Sequence, residues 1–476
     1  GLMPINSFLY PAPSTPTFAY NVANSCRFND DSDDHLERTP SSGGNRRTWT
    51  WSCWFKRSSF TNNSRVFVAY TDTSNRVEIG IHNESVNCFR VELLSSSSNS
   101  ELQTDALFKD PSAWFHAVVA VDTTQGTASN RVKIYINGTQ VTSFRSSSYP
   151  DQNTEYEINH TVEHNIGKSI NFARPYDGYM CEVVLIDGQQ LDATSFGEFD
   201  SDSPTIWKPI DVSGLTFGTN GFYLDFEDSS ALGNDAAGSN NFTVNNLTAV
   251  DQSTDTCTNN FTVLNSIHLQ TSSPPTFSNG NLTIASIADN DNVASTFGGE
   301  FKWYYEAKIL QDPDGTNGYG AGVGACHIDV FNYGGWAAGN RTDFINSDTK
   351  WYSNSLSGAG RFVQGAGNQV IGSLTQATTG DIVGVACDST NGRIYIHING
   401  TYQNSGDPAG GSGYIGGTTG KSGIWFPWFS SDNTQGTLDL NFGSAPYAIS
   451  SGNSDANGYG NFEYAVPSGY YALNTK

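Results

Sequence analysis

Four groups of side chains in this 476-residue sequence are of types that do chemistry. The first is the acidic run Asp225-Phe226-Glu227-Asp228, where strand alternation would put Asp225 and Glu227 on one face. Retaining glycoside hydrolysis uses such a pair, with carboxyl groups about 5 Å apart acting as nucleophile and acid. The second is the loop Asn29-Asp30-Asp31-Ser32-Asp33-Asp34. Its carboxylates Asp30, Asp31, Asp33 and Asp34 are dense enough to hold Ca2+ through oxygen ligands, unless they simply face solvent. The third is a set of rings, Tyr333, Trp336, Trp351 and Tyr352, with Asn340 and Arg341 among them. Sugars stack their C–H faces on such rings and bond to such neighbours, although the rings could equally pack beneath their own loops. The fourth is His116, His164 and His397, which have no sequence partner at catalytic spacing and read as structural. No Gly-x-Ser-x-Gly elbow, His-Glu-x-x-His pair or phosphate loop occurs. No catalytic residue is assigned, and the chain reads as a non-enzyme.

Those side chains need a scaffold, and the sequence offers strands. RVKIYINGT (131–139) and RIYIHINGT (393–401) each alternate apolar residues at a period of two, then run into Asn-Gly. Asn137-Gly138 and Asn399-Gly400 supply the two positive φ angles of a type I′ hairpin turn. Similar runs include TWTWSCWFKRS (48–58), WFHAVVAVD (114–122), MCEVVLIDG (180–188), KWYYEAKIL (302–310) and IVGVACD (382–388). In the first of these, Trp54 breaks the alternation and marks a bulge. No window longer than a turn or two carries a 3.6-residue period.

The fold class is therefore all-β. Two antiparallel β-sandwich domains of jelly-roll type are expected in series, behind a Pro-rich N-terminal arm. The boundaries are 1–20 for the arm, 21–225 for the first sandwich, 226–275 for a connector and 276–476 for the second sandwich. Pro4, Pro11, Pro13 and Pro16 keep the arm out of helix and central strand. Its aromatics either strap it over its own domain or anchor it on a partner subunit. Residues 95–100, 331–380 and 401–423 read as polar or Gly/Ser/Asn-rich loops, and loops on a rigid sandwich are where sites form.

Bulk composition removes several functions. Asp and Glu outnumber Lys and Arg by 47 to 24, a net charge of −23, so a phosphate backbone is repelled and no nucleic-acid partner is expected. Apolar runs are strand-length, so no membrane insertion is expected. The seven cysteines are odd in number and widely spaced, which disfavours a disulfide framework and points to folding in a reducing cytoplasm. Met3 sits inside an apolar, Pro-containing stretch, and the start codon is expected upstream.

TWTWSCWFKRSS, WFHAVVAVDTTQGTASNRVKIYINGTQV and NIGKSINFARPYDGYMCEVVLIDGQQLD together resemble the concanavalin A-like, laminin-G-type jelly roll, over roughly 20–225. That family's W-x-H-V-x-V strand is matched by Trp114 and His116, and its V-x-L-Y-V-N-G hairpin by Tyr135, Asn137 and Gly138. Its F-x-G-x-I-x-E-V-x-L strand is matched by Tyr176, Asp177 and Gly178 through Glu182 and Leu185. Glucanases of this kind carry Glu-x-Asp-x-x-Glu. The run at Asp225 lacks the first Glu, which leaves polysaccharide hydrolysis as a remote alternative.

The second half is similar to a SPRY domain over roughly 280–476, through KWYYEAKI, GAGVGA, GDIVGVACDSTNGRIYIHINGT and PWFSSDNTQGTLDLNFG. Gly380-Asp381 and Asn441-Phe442-Gly443 are its most specific points. With GFYLDFEDSSALGNDAAGSNNFTVNN between them, the two halves resemble virion proteins of marine tailed bacteriophages. The resemblance implies a non-enzymatic structural protein of the virion, assembled in the host cytoplasm, that acts as a tail or head fibre or receptor-binding protein. Its partners would be other virion proteins and a host-surface glycan or protein. It would be a homo-oligomer, a trimer being common among fibres. The alternative is a capsid decoration or assembly protein touching only virion subunits. No cofactor is implied beyond the Ca2+ considered above.

Overall fold

A strand that is apolar on one face must bury that face against a second sheet. The computed structural model describes residues 20–476 except 62, 83–85, 172–173, 271–273, 287–290, 312–318, 333–347, 356–359, 365–367, 416–420 and 432–435. Among the described residues there are strands and short 3-10 turns but no α-helix, and every pairing between named strands is antiparallel. The chain is all-β. Of the proposed arm, residues 1–19 lie outside the described residues.

The first sandwich packs two eight-stranded sheets together. One runs in the order Thr139–Gln140, Val132–Ile136, Trp114–Asp122, Thr48–Arg57, Gly178–Asp187, Ser25–Phe28, Gln252–Ser253, with Phe222–Leu224 also on Gly178–Asp187. The other runs Phe144–Ser148, Ser98–Leu107, Cys88–Ser95, Asn75–His82, Ser64–Asp72, Glu163–Ile166, His35–Arg38, Thr243–Asn245. Trp49, Trp51, Cys53 and Phe55 point into the shared core, beside Phe67, Ile79, Val91 and Phe222. Each fully buried side chain of this size contributes about 1.5–3 kcal/mol from apolar area alone.

Trp54 does not mark a bulge. It keeps the alternation and faces outward, stacked on His116 with ring centroids 4.8 Å apart, under a second apolar layer that includes Val22, Phe196, Trp207 and Tyr223. The irregularity lies on the neighbouring strand, where the register shifts between Cys181 and Val184 and Glu182 takes φ +52°.

The second sandwich pairs two seven-stranded sheets. Its central strands are Tyr319–His327 and Trp425–Ser430 in one sheet, and Lys302–Gln311 and Ile382–Asp388 in the other. Trp303, Tyr305, Val385, Ile396, Trp425 and Phe429 fill the space between them. The two Asn-Gly turns sit in equivalent settings. Asn137 and Gly138 have φ +45° and +79°, and Asn399 and Gly400 have +48° and +83°. The Asn137 side-chain oxygen accepts the His116 N–H at 2.8 Å, and that of Asn399 accepts the Ile382 N–H at 2.9 Å.

Three stretches read as connector or loop contain strands. Residues 226–275 are not a free connector, because Thr243–Asn245 and Gln252–Ser253 pair in the first sandwich and Leu264–Gln270 edges the second. Two- and three-residue edge strands are too short to show alternation. The polar run 95–100 supplies the start of the strand Ser98–Leu107, and 331–380 contains the strands Thr349–Ser355, Gly360–Gln364 and Asn368–Leu374. The C-terminal tail folds back as well: the buried Glu306 carboxylate accepts the N–H groups of Glu463 and Tyr464 at 2.9 and 2.8 Å.

Candidate functional site

Among the described residues, those singled out for chemistry do not assemble into one site. Tyr333, Trp336, Asn340 and Arg341 lie outside the described residues. Trp351 and Tyr352 are 0% and 2% exposed. Trp351 packs edge-on against Trp428 at 5.8 Å, and the Tyr352 hydroxyl donates to the Thr375 carbonyl at 2.7 Å. Both rings are therefore core residues with no face open to a sugar. Their strand was hidden inside a Gly/Ser-rich stretch.

The carboxylates of the acidic loop take different partners. Asp34 turns inward, where its carboxylate accepts the Asn29 N–H at 3.0 Å and the Ser32 hydroxyl at 2.7 Å. Asp33 takes φ +59° and pairs with Lys168 at 3.0 Å. Among the described residues no three His, Cys, Asp or Glu side chains are grouped to hold a metal ion. The Asp225/Glu227 pair does not share a face either. Phe226 between them has φ +58°, which breaks the alternation, and the Asp225 carboxylate accepts the Glu227 N–H at 3.1 Å to close a local turn.

The three histidines are buried and satisfied. Trp207 Nε1–H donates to His116 Nδ1 at 3.0 Å, which leaves Nε2–H to donate to Ser52 Oγ at 2.8 Å. Gly400 N–H donates to His397 Nδ1 at 3.1 Å, and the other ring nitrogen meets the Tyr304 hydroxyl at 2.7 Å. Burial lowers the pKa of His116 to about 3 and that of His164 and His397 to about 4. All three stay neutral near neutrality.

What brings functional groups together is a cleft of about 480 Å³ between the two sandwiches. Asp30 and Asp31 enter it from the turn after Ser25–Phe28, Phe60 from just past Thr48–Arg57, and Asp177 from just before Gly178–Asp187. Pro274, Pro275, Phe277 and Asn281 come from the second half. The Arg57 guanidinium lies over the Phe60 ring, 4.7 Å from its centroid, and donates to the Ser59 carbonyl at 2.9 Å. The Asn281 amide donates to the Ser58 carbonyl and to Ser266 Oγ, both at 3.2 Å, while Tyr179 donates to the Gly280 carbonyl at 2.9 Å.

Asp177 is 6% exposed, and one of its carboxylate oxygens has no hydrogen-bond partner. Burial, with Asp30 and Asp31 nearby, pushes its carboxyl well above the usual range. Gly178 beside it has φ +143°, and a Cβ there would lie 2.2 Å from the Lys56 carbonyl oxygen. Only glycine lets the strand start so close. The sequence held parts of this site, in the acidic loop and in Tyr176-Asp177-Gly178, but no local pattern shows that they meet.

Residues 30–193 match the family model of the Concanavalin A-like lectin/glucanases superfamily. The first sandwich has that fold, of laminin G type. A putative carbohydrate binding protein from Bacteroides ovatus is similar at 16% identity, over 48% of this chain and 60% of its own, with a TM-score of 0.34. A native heptameric SAP-like pentraxin from Limulus polyphemus is similar at 14% identity, over 36% of this chain and 80% of its own, with a TM-score of 0.28. The SPRY domain of human HERC1 is similar at 16% identity, over 37% of this chain and 96% of its own, with a TM-score of 0.26. No curated protein sequence matches the chain.

Proposed function

We propose that the chain is a non-enzymatic binding protein of a virion, a fibre or receptor-binding component, that docks a sugar residue of a host-surface glycan in the cleft between its sandwiches. The cleft carries the reading. It joins two partly exposed rings, Phe60 and Phe277, to carboxylates and hydroxyls within a volume that suits a small ligand. A sugar ring would lay its C–H face on a phenylalanine and direct its hydroxyls to Asp30, Asp31 and Ser59. The lectin/glucanase match of the first sandwich supports sugar recognition. The virion setting rests on the sequence resemblance. Three carboxyl groups in the cleft and a net charge of −23 favour neutral or amino sugars over acidic polysaccharides.

The test is calorimetric titration with host envelope polysaccharide and its oligosaccharides. Phe60→Ala and Phe277→Ala should each weaken binding about tenfold, the effect of losing one well-packed ring contact, with Tm little changed. No binding to any host glycan or to host cells would overturn the proposal. Incorporation into particles without glycan binding would favour the decoration role. Product release from polysaccharide would favour hydrolysis.

A further inference from the structure

Cys181 and Cys257 lie with their sulfurs 3.6 Å apart, although 76 positions separate them in sequence. Both are free thiols, and five further cysteines are buried elsewhere. Cys181 sits where the strand register shifts, so its backbone is not held by a regular ladder on both sides. Cys257 lies in the tight turn in which Thr256 and Asn259 exchange N–H to carbonyl bonds at 3.1 Å. A disulfide needs its sulfurs about 2.05 Å apart. Closing the gap from 3.6 Å requires the side chains to rotate or the turn to shift.

We propose that Cys181 and Cys257 form an oxidation site, at which a small-molecule disulfide converts the two thiols into a disulfide that fastens the segment between the sandwiches to the first one. Cys257 is the entry thiol, because it is partly exposed and Cys181 is buried. Its thiolate, having lost a proton to solvent, attacks one sulfur of the oxidant R–S–S–R. That bond breaks, a mixed disulfide forms on Cys257, and R–S⁻ leaves. The Cys181 thiolate then attacks Cys257 Sγ and expels the second R–S⁻. The protein loses two protons, one from each thiol by way of solvent, and two electrons overall, and the oxidant takes up both to become two R–SH.

The crosslink would act on the segment that joins the halves. Asp255, two residues before Cys257, holds Lys56 at 2.8 Å, and Phe261, four residues after, packs on the outer face of the second sandwich. Pinning Cys257 to Gly178–Asp187 therefore fixes the joint itself. Burial, together with Cys181 and Glu182, raises the Cys257 thiol, so exchange is slow at neutral pH and is best driven at mildly alkaline pH.

The experiment treats the whole native chain with oxidised glutathione, then alkylates and maps peptides without reduction. The expected product is one linked pair, Cys181 to Cys257, two hydrogens lighter than its parts, with the other five thiols alkylated. Tm should rise on the order of 5 °C and fall back on adding reductant. Cys181→Ser should stop at the glutathione adduct on Cys257, and Cys257→Ser should leave every thiol free. Seven alkylatable thiols after treatment, a crosslink elsewhere, or a lasting adduct on Cys257 in the unaltered chain would overturn the proposal. Mapping of the unaltered chain decides the matter even if Cys181→Ser does not fold.

Discussion

Lys56 Nζ lies 2.8 Å from Asp255 Oδ2, and the pair joins a central strand of the first sandwich to the segment leading to the second. Both side chains are buried, at 0% and 2% exposure. The other two ammonium protons go to Asn260 Oδ1 at 2.7 Å and the Phe261 carbonyl at 2.9 Å, so all three are used. Asp255 also accepts Trp114 Nε1–H at 3.0 Å. Burial lowers the ammonium pKa, and Asp255 opposes that shift.

Removing one partner of such a pair leaves a buried charge uncompensated, which costs about 3–5 kcal/mol. Lys56→Met should lower the urea-unfolding free energy by that amount. A loss under about 1 kcal/mol would show that the joint is held by other contacts.

His116 sets an acid-side prediction. Its folded pKa of about 3 lies below the unfolded value near 6.5, so between these values the unfolded chain binds the extra proton. The stability it contributes is whole above about pH 6.5 and is lost as pH falls toward the folded value. A glutamine amide can accept from Trp207 and donate to Ser52 without titrating. Unaltered protein should therefore lose about 1.4 kcal/mol per pH unit relative to His116→Gln as pH falls from 6 to 4. Parallel stability curves for the two proteins would refute this.

The two hairpin glycines should respond unequally. A Cβ on Gly138 would lie 2.2 Å from Trp207 Cε3, whereas one on Gly400 would lie 2.9 Å from Tyr464 Cδ1. Trp207 is buried and tied to His116, while Tyr464 is only half-buried. Both substitutions place a side chain at positive φ, which costs about 1–2 kcal/mol. Gly138→Ala should cost at least about 1 kcal/mol more than Gly400→Ala in thermal unfolding, through the added overpacking.

Trp351 separates core from binding surface. Trp351→Ala should cost about 3–5 kcal/mol of stability as a buried cavity. Glycan affinity measured below the lowered Tm should stay unchanged. A selective loss of binding at full stability would return this ring to the ligand site.

Much of the architecture was legible in the sequence, because alternation at a period of two and Asn-Gly pairs are local signals. TWTWSCWFKR and the two Asn-Gly-Thr hairpins became strands and turns where expected, and both Asn residues took the positive φ their turns demand. Thr349–Ser355 was missed because its Trp-Tyr pair sits among Ser, Asn and Gly, and Gln252–Ser253 because two residues carry no period. The outward Trp54 misled for a related reason: the outer face is itself covered, so an apolar residue there signals a second layer and not a bulge.

The candidate site was hardly legible. Asp30, Phe60 and Asp177 come from three separate stretches of the first sandwich and Phe277 from the second, so only the tertiary fold makes them neighbours. The same holds for Cys181 and Cys257, and for Lys56 and Asp255. Sequence by itself determined the strand period and the turn chemistry, which depend on residues a few positions apart, and the acidic balance, which is a sum over the whole composition. Which carboxylates share a cleft, which rings are core and which thiols meet was decided by the tertiary structure alone, because such contacts depend on how distant strands are brought into register.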